Sequence, residues 1–147
     1  MRFVCDVMLG RLAKYLRILG FDAVYARDEA ALEYYGRGAD DPIFLTRRTK
    51  VTRFANAVRI RSESAREQLK EISGLIRSSL EPESVFNRCI ECNTELTEVD
   101  KTEVESRVPE FVYHQYARFK QCPSCKRVYW EGSHGAGMVE ILKEILA

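Results

Sequence analysis

A chain of 147 residues with 23 basic and 22 acidic side chains, and hence a net charge of +1, has room for one core of about 100 residues plus a small module. This overall charge neither favours nor excludes a nucleic-acid partner. No run approaches the about 18 apolar residues of a membrane span, and the apolar run at residues 3–5 is too short for a signal-peptide core. These features exclude an integral membrane protein and predict a soluble, cytoplasmic one.

The charges are unevenly distributed along the chain. Residues 1–80 carry 15 basic and 10 acidic side chains, whereas residues 81–147 carry 8 and 12. Six cations in the first half follow one another with no acid between them: Arg47, Arg48, Lys50, Arg53, Arg59 and Arg61. Such a run is typical either of a surface that binds a phosphate backbone or of an ordinary solvated face.

In chain order, short apolar runs alternate with helical patterns over the first 80 residues. We predict strands at residues 3–5, 22–26, 42–46 and 57–60, helices at 8–20 and 27–35, a short basic helix at 50–56, and a helix that begins after Ser64 and continues through Ile76. In the first helix, Gly20 is placed as the C-terminal stop, and Arg11, Lys14 and Arg17 are expected on an exposed face. Strands and helices that alternate in this way predict an α/β fold with a small parallel sheet between helices.

A linker-like stretch at residues 81–84 marks a predicted boundary. We therefore expect an α/β domain at residues 1–80 and a cysteine-containing module at residues 81–147. The module should be partly helical around Pro109 and strand-like at residues 127–130. Its last segment has apolar residues on one side only, so we expect it to form a helix that docks on the first domain.

Four of the five cysteines form two C-x-x-C pairs separated by 29 residues: Cys89, Cys92, Cys122 and Cys125. Two such turns supply the four thiolates that a structural zinc ion binds tetrahedrally, so we predict a zinc-ribbon module. Two disulfides or a thioredoxin-like redox pair are the alternatives, although a redox motif occurs as a single C-x-x-C near a βαβ unit. The fifth, Cys5, lies in an apolar run and is expected in the core.

Acidic residues follow the first two predicted strands. In open parallel sheets, ligands bind outside the carboxyl ends of the strands, and Asp6 directly follows the first strand. A carboxylate there can bind Mg²⁺ or Mn²⁺, but it can equally cap the next helix. Asp28 and Glu29 follow the second strand and have an alternative role as first-turn acids of a helix.

Two arginines, Arg47 and Arg48, follow the third strand, where they suit phosphate better than a cation. His134, beyond the second cysteine pair, is a candidate for a catalytic or phosphate-facing group or for a cap of the last helix. His114 is expected to be structural or at the surface.

Several motifs resemble the Mut-seven C-terminal RNase domain family. They are FVCDVMLGRLAKYLRILGFD at residues 3–22, LTR at residues 45–47, the paired cysteine knuckles, and VYWEGSH at residues 128–134. They occur in order over nearly the whole chain. The resemblance implies a PIN-like nuclease fold joined to a zinc ribbon, and metal-dependent cleavage of RNA by acids that hold Mg²⁺ or Mn²⁺.

Carried onto this sequence, the resemblance assigns Asp6 to the first acid of the family and Asp28 or Glu29 to an acidic position at the start of the second helix. Arg11, Arg47, Arg48, Lys50, Arg53 and His134 are the candidates for RNA binding. The family pattern Leu-Thr-Arg-Asp reads Leu45-Thr46-Arg47-Arg48 here, so a cation replaces a carboxylate. The sequence therefore predicts a PIN-like ribonuclease, or alternatively a catalytically impaired relative that binds RNA or a protein partner.

Overall fold

The computed structural model describes residues 1–36, 41–49, 56–131 and 136–146. Within these ranges, none of the helices has the length and apolar character needed to cross a bilayer. The predicted short helix at residues 50–56 lies almost entirely outside the described residues.

The first half of the chain forms a four-stranded, fully parallel sheet in the spatial order β2-β1-β3-β4. Its strands are β1 (Arg2–Cys5), β2 (Asp22–Tyr25), β3 (Ile43–Thr46) and β4 (Ala57–Arg59). Helices α1 (Gly10–Ile18) and α2 (Glu29–Gly36) connect the first three strands. The predicted small parallel sheet between helices is thus confirmed.

The two faces of the sheet are buried by different helices. On one face, Phe3 and Cys5 pack with Leu12 and Leu16 of α1 in the largest apolar cluster. On the other face, Val4 and Phe44 pack with Leu32 of α2. Burial of both faces explains why the strands are continuous apolar runs rather than alternating ones.

The helical pattern after Ser64 forms two helices, not the single helix predicted. Ser64 caps α3 (Ala65–Glu71), and its hydroxyl accepts a hydrogen bond from the amide of Glu67, which is the serine half of the predicted capping box. The Glu67 side chain pairs with Lys70. The backbone then leaves helical geometry at Ile72 (φ −103°, ψ 17°), and α4 (Ser73–Ser79) follows. Ile72 and Ile76 remain buried, so the apolar spacing is preserved across the break.

Gly20 ends the α1 region in a conformation that other residues avoid. Its φ is +92°, and a Cβ there would lie 2.4 Å from the carbonyl oxygen of Ser84. Phe86 continues this junction, because its amide donates to the carbonyl of Ile18 at 2.8 Å. The segment after α4 is therefore fixed against the end of α1.

The cysteine-containing part carries a second sheet, antiparallel, in the order β5-β6-β7. Its strands are β5 (Thr97–Val99), β6 (Phe119–Gln121) and β7 (Val128–Trp130). A 3₁₀ helix at Lys101–Arg107 and α5 (Glu110–Gln115) lie between β5 and β6. The chain ends in α6 (Ala136–Leu146), whose Met138, Ile141 and Ile145 join the cluster under the parallel sheet.

Arg17 corrects the expectation of an exposed basic face on α1. Its side chain is only 9% exposed, and its guanidinium donates to the carbonyls of Ala23 (2.8 Å), Ile90 (2.7 Å) and Glu91 (3.3 Å). The periodicity of α1 alone could not show this, because the acceptors come from β2 and from the first cysteine pair. Arg17 therefore ties α1 to the cysteine-containing part.

Replacing Arg17 with methionine should lower the free energy of unfolding by about 2–4 kcal/mol, because three carbonyls would lose a charged donor in a buried place. Urea denaturation checks this. Arg11→Met is the matched control, since the Arg11 side chain is exposed on the same helix, and it should change stability by less than about 0.5 kcal/mol. Equal effects of both variants would contradict a structural role for the Arg17 contacts.

Candidate functional site

The strand order places a crevice between the carboxyl ends of β1 and β3. The chain leaves β1 toward β2 on one side and later returns to β3 on the other, so these two ends flank the point where the strand order reverses. Ligands of open parallel sheets bind at such a point. Asp6 follows β1 and Thr46 ends β3, so both residues lie at the crevice.

Asp6 is buried, with only 1% of its surface exposed. Its Oδ2 accepts a hydrogen bond of 2.5 Å from the Thr46 hydroxyl, and its Oδ1 accepts one of 3.0 Å from the amide of Met8. The bond from Met8 caps the 3₁₀ turn at residues 7–9, so Asp6 does serve as a cap. Each carboxylate oxygen has a second lone pair that these two hydrogen bonds do not use.

Arg48 is connected to Asp6 through Thr46. Its amide donates to the Thr46 hydroxyl oxygen at 3.0 Å, while its guanidinium Nη1 lies 2.7 Å from Oε1 of Glu29. Arg48 therefore joins the first turn of α2 to the end of β3. Arg48, which stands where the family pattern has an aspartate, thus forms an ion pair with Glu29, one of the candidate acids.

The candidate acids do not converge on one point. Asp28 caps α2 by accepting a 2.8 Å hydrogen bond from the amide of Ala31, and Glu29 pairs with Arg48. Across the residues that the structure describes, no group of three or more carboxylates forms a metal-binding cluster; the group of that kind is made of cysteines. Asp6 is thus the one buried carboxylate at the crevice among the described residues.

The candidate RNA-binding cations are only partly within the described residues. Arg47 is half-buried, and its guanidinium donates to the carbonyl of Arg61 at 3.4 Å. Arg11 is exposed on α1. Lys50, Arg53 and His134 lie outside the described residues, whereas His114 is at the surface, with 68% of its side chain exposed.

The four predicted metal ligands converge, as expected. The sulfur atoms of Cys89, Cys92, Cys122 and Cys125 all lie within 4.8 Å of one another, and those of Cys89 and Cys125 are 3.7 Å apart. Four thiolates bound tetrahedrally to zinc at about 2.3 Å would be separated by about 3.8 Å. The cluster therefore fits a single metal ion such as zinc.

The two C-x-x-C turns have the same hydrogen-bond pattern. In the first, the amides of Cys92 and Asn93 donate to the sulfur and the carbonyl of Cys89 at 3.4 and 2.9 Å. In the second, the amides of Cys125 and Lys126 donate to the corresponding atoms of Cys122 at the same two distances. Amide donors stabilise a thiolate, so both turns are arranged for negatively charged sulfur.

Both turns close with a left-handed residue, Asn93 (φ 62°) and Lys126 (φ 68°). Asn93 also reaches the edge of the parallel sheet. Its side-chain oxygen accepts from the amide of Ala23 at 3.0 Å, and its amide nitrogen donates to Asp22 at 2.7 Å. The first cysteine turn is therefore fixed against β2.

Sequence reasoning missed two residues that organise these sites. Thr46 orients Asp6, and its presence at the end of an apolar strand in the LTR triplet was the available signal. Tyr129 places its hydroxyl 3.1 Å from the sulfur of Cys89 and accepts from the amide of Ile90 at 3.3 Å. Nothing in the spacing of the sequence pointed to this tyrosine, because β7 brings it to the cluster only through sheet pairing.

A family profile described as the Mut7-C RNAse domain matches residues 1–142. The chain belongs to the Mut7-C RNAse domain family. The profile spans both the crevice with Asp6 and the four cysteines, so the predicted family is confirmed. Comparison with curated proteins and with solved structures gives no significant match. Membership of the Mut7-C family indicates a nuclease-like function and RNA as the substrate class.

Proposed function

We propose that the chain is a metal-dependent ribonuclease whose reaction takes place at the carboxyl ends of β1 and β3. The observation that carries this proposal is the carboxylate of Asp6, which is buried at the crevice and oriented by Thr46 and Met8. An acid with fixed geometry at this edge of the sheet is suited to a reaction site, because ligands bind there and catalytic groups need a fixed orientation. The family match supplies the substrate class.

The donors at the crevice fit Mg²⁺ or Mn²⁺ held by few protein ligands. Mg²⁺ is commonly bound by one or two carboxylates, with waters and substrate phosphates filling the other positions. Asp6 would supply one carboxylate and Glu29 a second, in competition with its ion pair to Arg48. Asp28 is engaged at its backbone cap and would assist only from a distance. When bound, the ion would activate water and stabilise charge on the phosphodiester.

Phosphate groups of the RNA would be positioned by the cations around the crevice. Arg47 directly follows β3, and arginine binds phosphate oxygens in a bidentate manner. Arg48, the next residue, would do so only when it is released from its ion pair with Glu29. Arg11, on α1, adds a cation on the β2 side. We extend the same role to Lys50, Arg53 and His134 from their sequence positions alone.

For the four cysteines, we propose a structural zinc ion. Four protein ligands fill the tetrahedral shell, so this ion would hold the fold rather than take part in cleavage. A reducing compartment keeps such cysteines from forming disulfides, so we propose that the protein acts in the cytoplasm.

One observation favours a second candidate function. The Arg48 guanidinium pairs with Glu29 at 2.7 Å and so brings a positive charge to the acids that would hold a divalent ion. At an effective dielectric constant typical of a protein surface, a like charge about 4 Å from an ion costs up to a few kcal/mol. The alternative is therefore a catalytically impaired protein that binds RNA or a protein partner.

Replacing Arg48 with aspartate should raise the rate of RNA cleavage at limiting Mn²⁺ by about tenfold or more, because the change removes a cation and adds a carboxylate. The measurement is cleavage of labelled single-stranded RNA with Mn²⁺ or Mg²⁺. Arg48→Ala, which removes the ion pair with Glu29 but adds no carboxylate, should give an intermediate rate.

The wild-type rate separates the two functions. Metal-dependent cleavage by wild type establishes the ribonuclease. If wild type does not cleave RNA but Arg48→Asp does, the protein is an impaired nuclease. If neither wild type nor Arg48→Asp cleaves RNA although both bind it, the enzymatic proposal is rejected.

A further inference from the structure

A pocket of about 550 Å³ lies between α1, the end of β2 and the first cysteine turn. Its charged and aromatic lining consists of Arg11, Lys14, Arg17, Tyr25, Arg27 and Glu91. Four cations thus face one carboxylate in a chain whose overall net charge is only +1. Such a local excess of positive charge favours an anionic ligand.

The buried cation of the pocket, Arg17, is hydrogen-bonded to backbone carbonyls and not to a carboxylate. Arg17 donates to three carbonyls, and no carboxylate of the described residues lies within ion-pair distance of its guanidinium. Carbonyl dipoles compensate only part of the cost of burying a charge. The side chain of Glu91 and the sulfurs of Cys89 and Cys92 supply some counter-charge to Arg17, and an anion in the pocket would add to it.

Two further cations of the pocket are available to a ligand. The side chains of Arg11 and Arg27 are exposed and make no hydrogen bond or ion pair with another described residue. Lys14 pairs with Glu91 at 3.3 Å, but the two side chains are 50% and 39% exposed. Such an exposed pair contributes little energy, so an incoming anion can displace Glu91 from Lys14.

The pocket borders the chain on both sides of Asp6. The Tyr25 hydroxyl donates to the carbonyl of Val7 at 2.7 Å, and the amide of Ala26 donates to the carbonyl of Cys5 at 2.9 Å. Arg27 is the next residue along the chain. The pocket lies at the end of β2 and the crevice at the end of β1, and these two strands are adjacent in the sheet. One polyanion can therefore reach both places.

We propose that this pocket binds a backbone phosphate of single-stranded RNA, next to the phosphodiester presented to Asp6. The proposal rests on the proposed ribonuclease function and names a subsite for its substrate. Arg11 and Arg27 contact the phosphate oxygens. Arg17 adds positive charge from its buried position in the pocket wall, and the negative charge of Glu91 opposes binding. The first cysteine turn thereby forms one wall of the RNA site.

The test measures binding without cleavage. A fluorescein-labelled single-stranded RNA oligonucleotide is titrated by anisotropy with the Asp6→Asn protein, with no divalent ion added. In this background, Arg11→Ala and Arg27→Ala should each weaken binding by about tenfold and lower the magnitude of the log–log salt slope by about 0.7. Arg77→Ala, which removes an exposed arginine of α4 instead, should leave both values unchanged.

Glu91→Gln provides a change in the opposite direction. Removal of the one acid in the pocket lining should tighten RNA binding by about threefold, with the metal content of the protein unchanged. Weaker binding by Glu91→Gln, or equal binding by the Arg27 and Arg77 variants, would overturn the proposal. An affinity for inorganic phosphate or adenosine monophosphate as high as the affinity for the RNA would also overturn it, because a free phosphate would then be the ligand.

The subsite and the reaction can fail separately. If Arg11→Ala and Arg27→Ala lose RNA binding but neither wild type nor Arg48→Asp cleaves RNA, the ribonuclease proposal is rejected and the RNA-binding role of the pocket is supported. If cleavage depends on Asp6 while the Arg11 and Arg27 variants bind RNA normally, the reaction stands and the pocket is rejected.

Discussion

Cys122→Ser should remove tight zinc binding and lower the free energy of unfolding by more than about 4 kcal/mol. Cys122 is fully buried, and its sulfur accepts the amide of Cys125 at 3.4 Å while lying within 4.8 Å of the other three sulfurs. The three strands of the second sheet have only three residues each, so we expect the metal to contribute much of the stability of this part of the chain. Metal content by mass spectrometry and urea denaturation with and without a strong chelator provide the measurement.

Cys5→Ala is the matched control. Cys5 is equally buried, but it lies in β1, and burial raises the pKa of its thiol to about 12, so it stays protonated. This variant should keep one zinc per chain and lose only about 1–2 kcal/mol, for the small cavity. Wild-type protein that carries no zinc and resists chelation would refute the proposed metal site.

The parallel sheet could be predicted because its information is local. Each strand is a short apolar run bounded by a charged residue, glycine or proline, and the alternation with helices restricts the topology. The N-cap at Ser64 and the glycine at position 20 are likewise local signals, and both are observed. The break at Ile72 was missed because the apolar spacing continues through it.

The contacts between the two parts of the chain could not be predicted. Arg17 follows the periodicity of an exposed helix position, yet its acceptors are carbonyls from a strand six residues away and from a cysteine turn more than seventy residues away. Backbone carbonyls carry no sequence signature. A buried cation on α1, and with it the basic pocket, became visible only in the fold.

The candidate reaction site was predicted in part. Asp6 at the end of the first strand follows from the rule for parallel sheets, and the structure places it at the crevice. The ion pair between Arg48 and Glu29 was not foreseen, because it depends on how α2 packs beside the end of β3. Glu29 can therefore bind a divalent ion only in competition with Arg48.

Asp6→Asn should lower the rate of RNA cleavage by at least about 10³-fold while RNA binding is retained, since several kcal/mol of metal-assisted stabilisation would be lost. The asparagine oxygen can still accept from the amide of Met8, so the cost to the free energy of unfolding should be only about 1–2 kcal/mol. The variant is compared with wild type, or with Arg48→Asp if wild type is silent. Cleavage rates with Mn²⁺ and the RNA affinity without it are the two readouts.

Thr46→Val separates the charge of Asp6 from its hydrogen bonds. This change removes the 2.5 Å bond to Asp6 Oδ2 and the acceptor for the amide of Arg48, but it leaves the carboxylate in place. It should therefore cost at least as much stability as Asp6→Asn and retain most of the cleavage rate, within about tenfold. If Asp6→Asn cleaves as fast as its parent, the carboxylate acts only as a structural cap of the turn after β1, and the reaction must lie elsewhere.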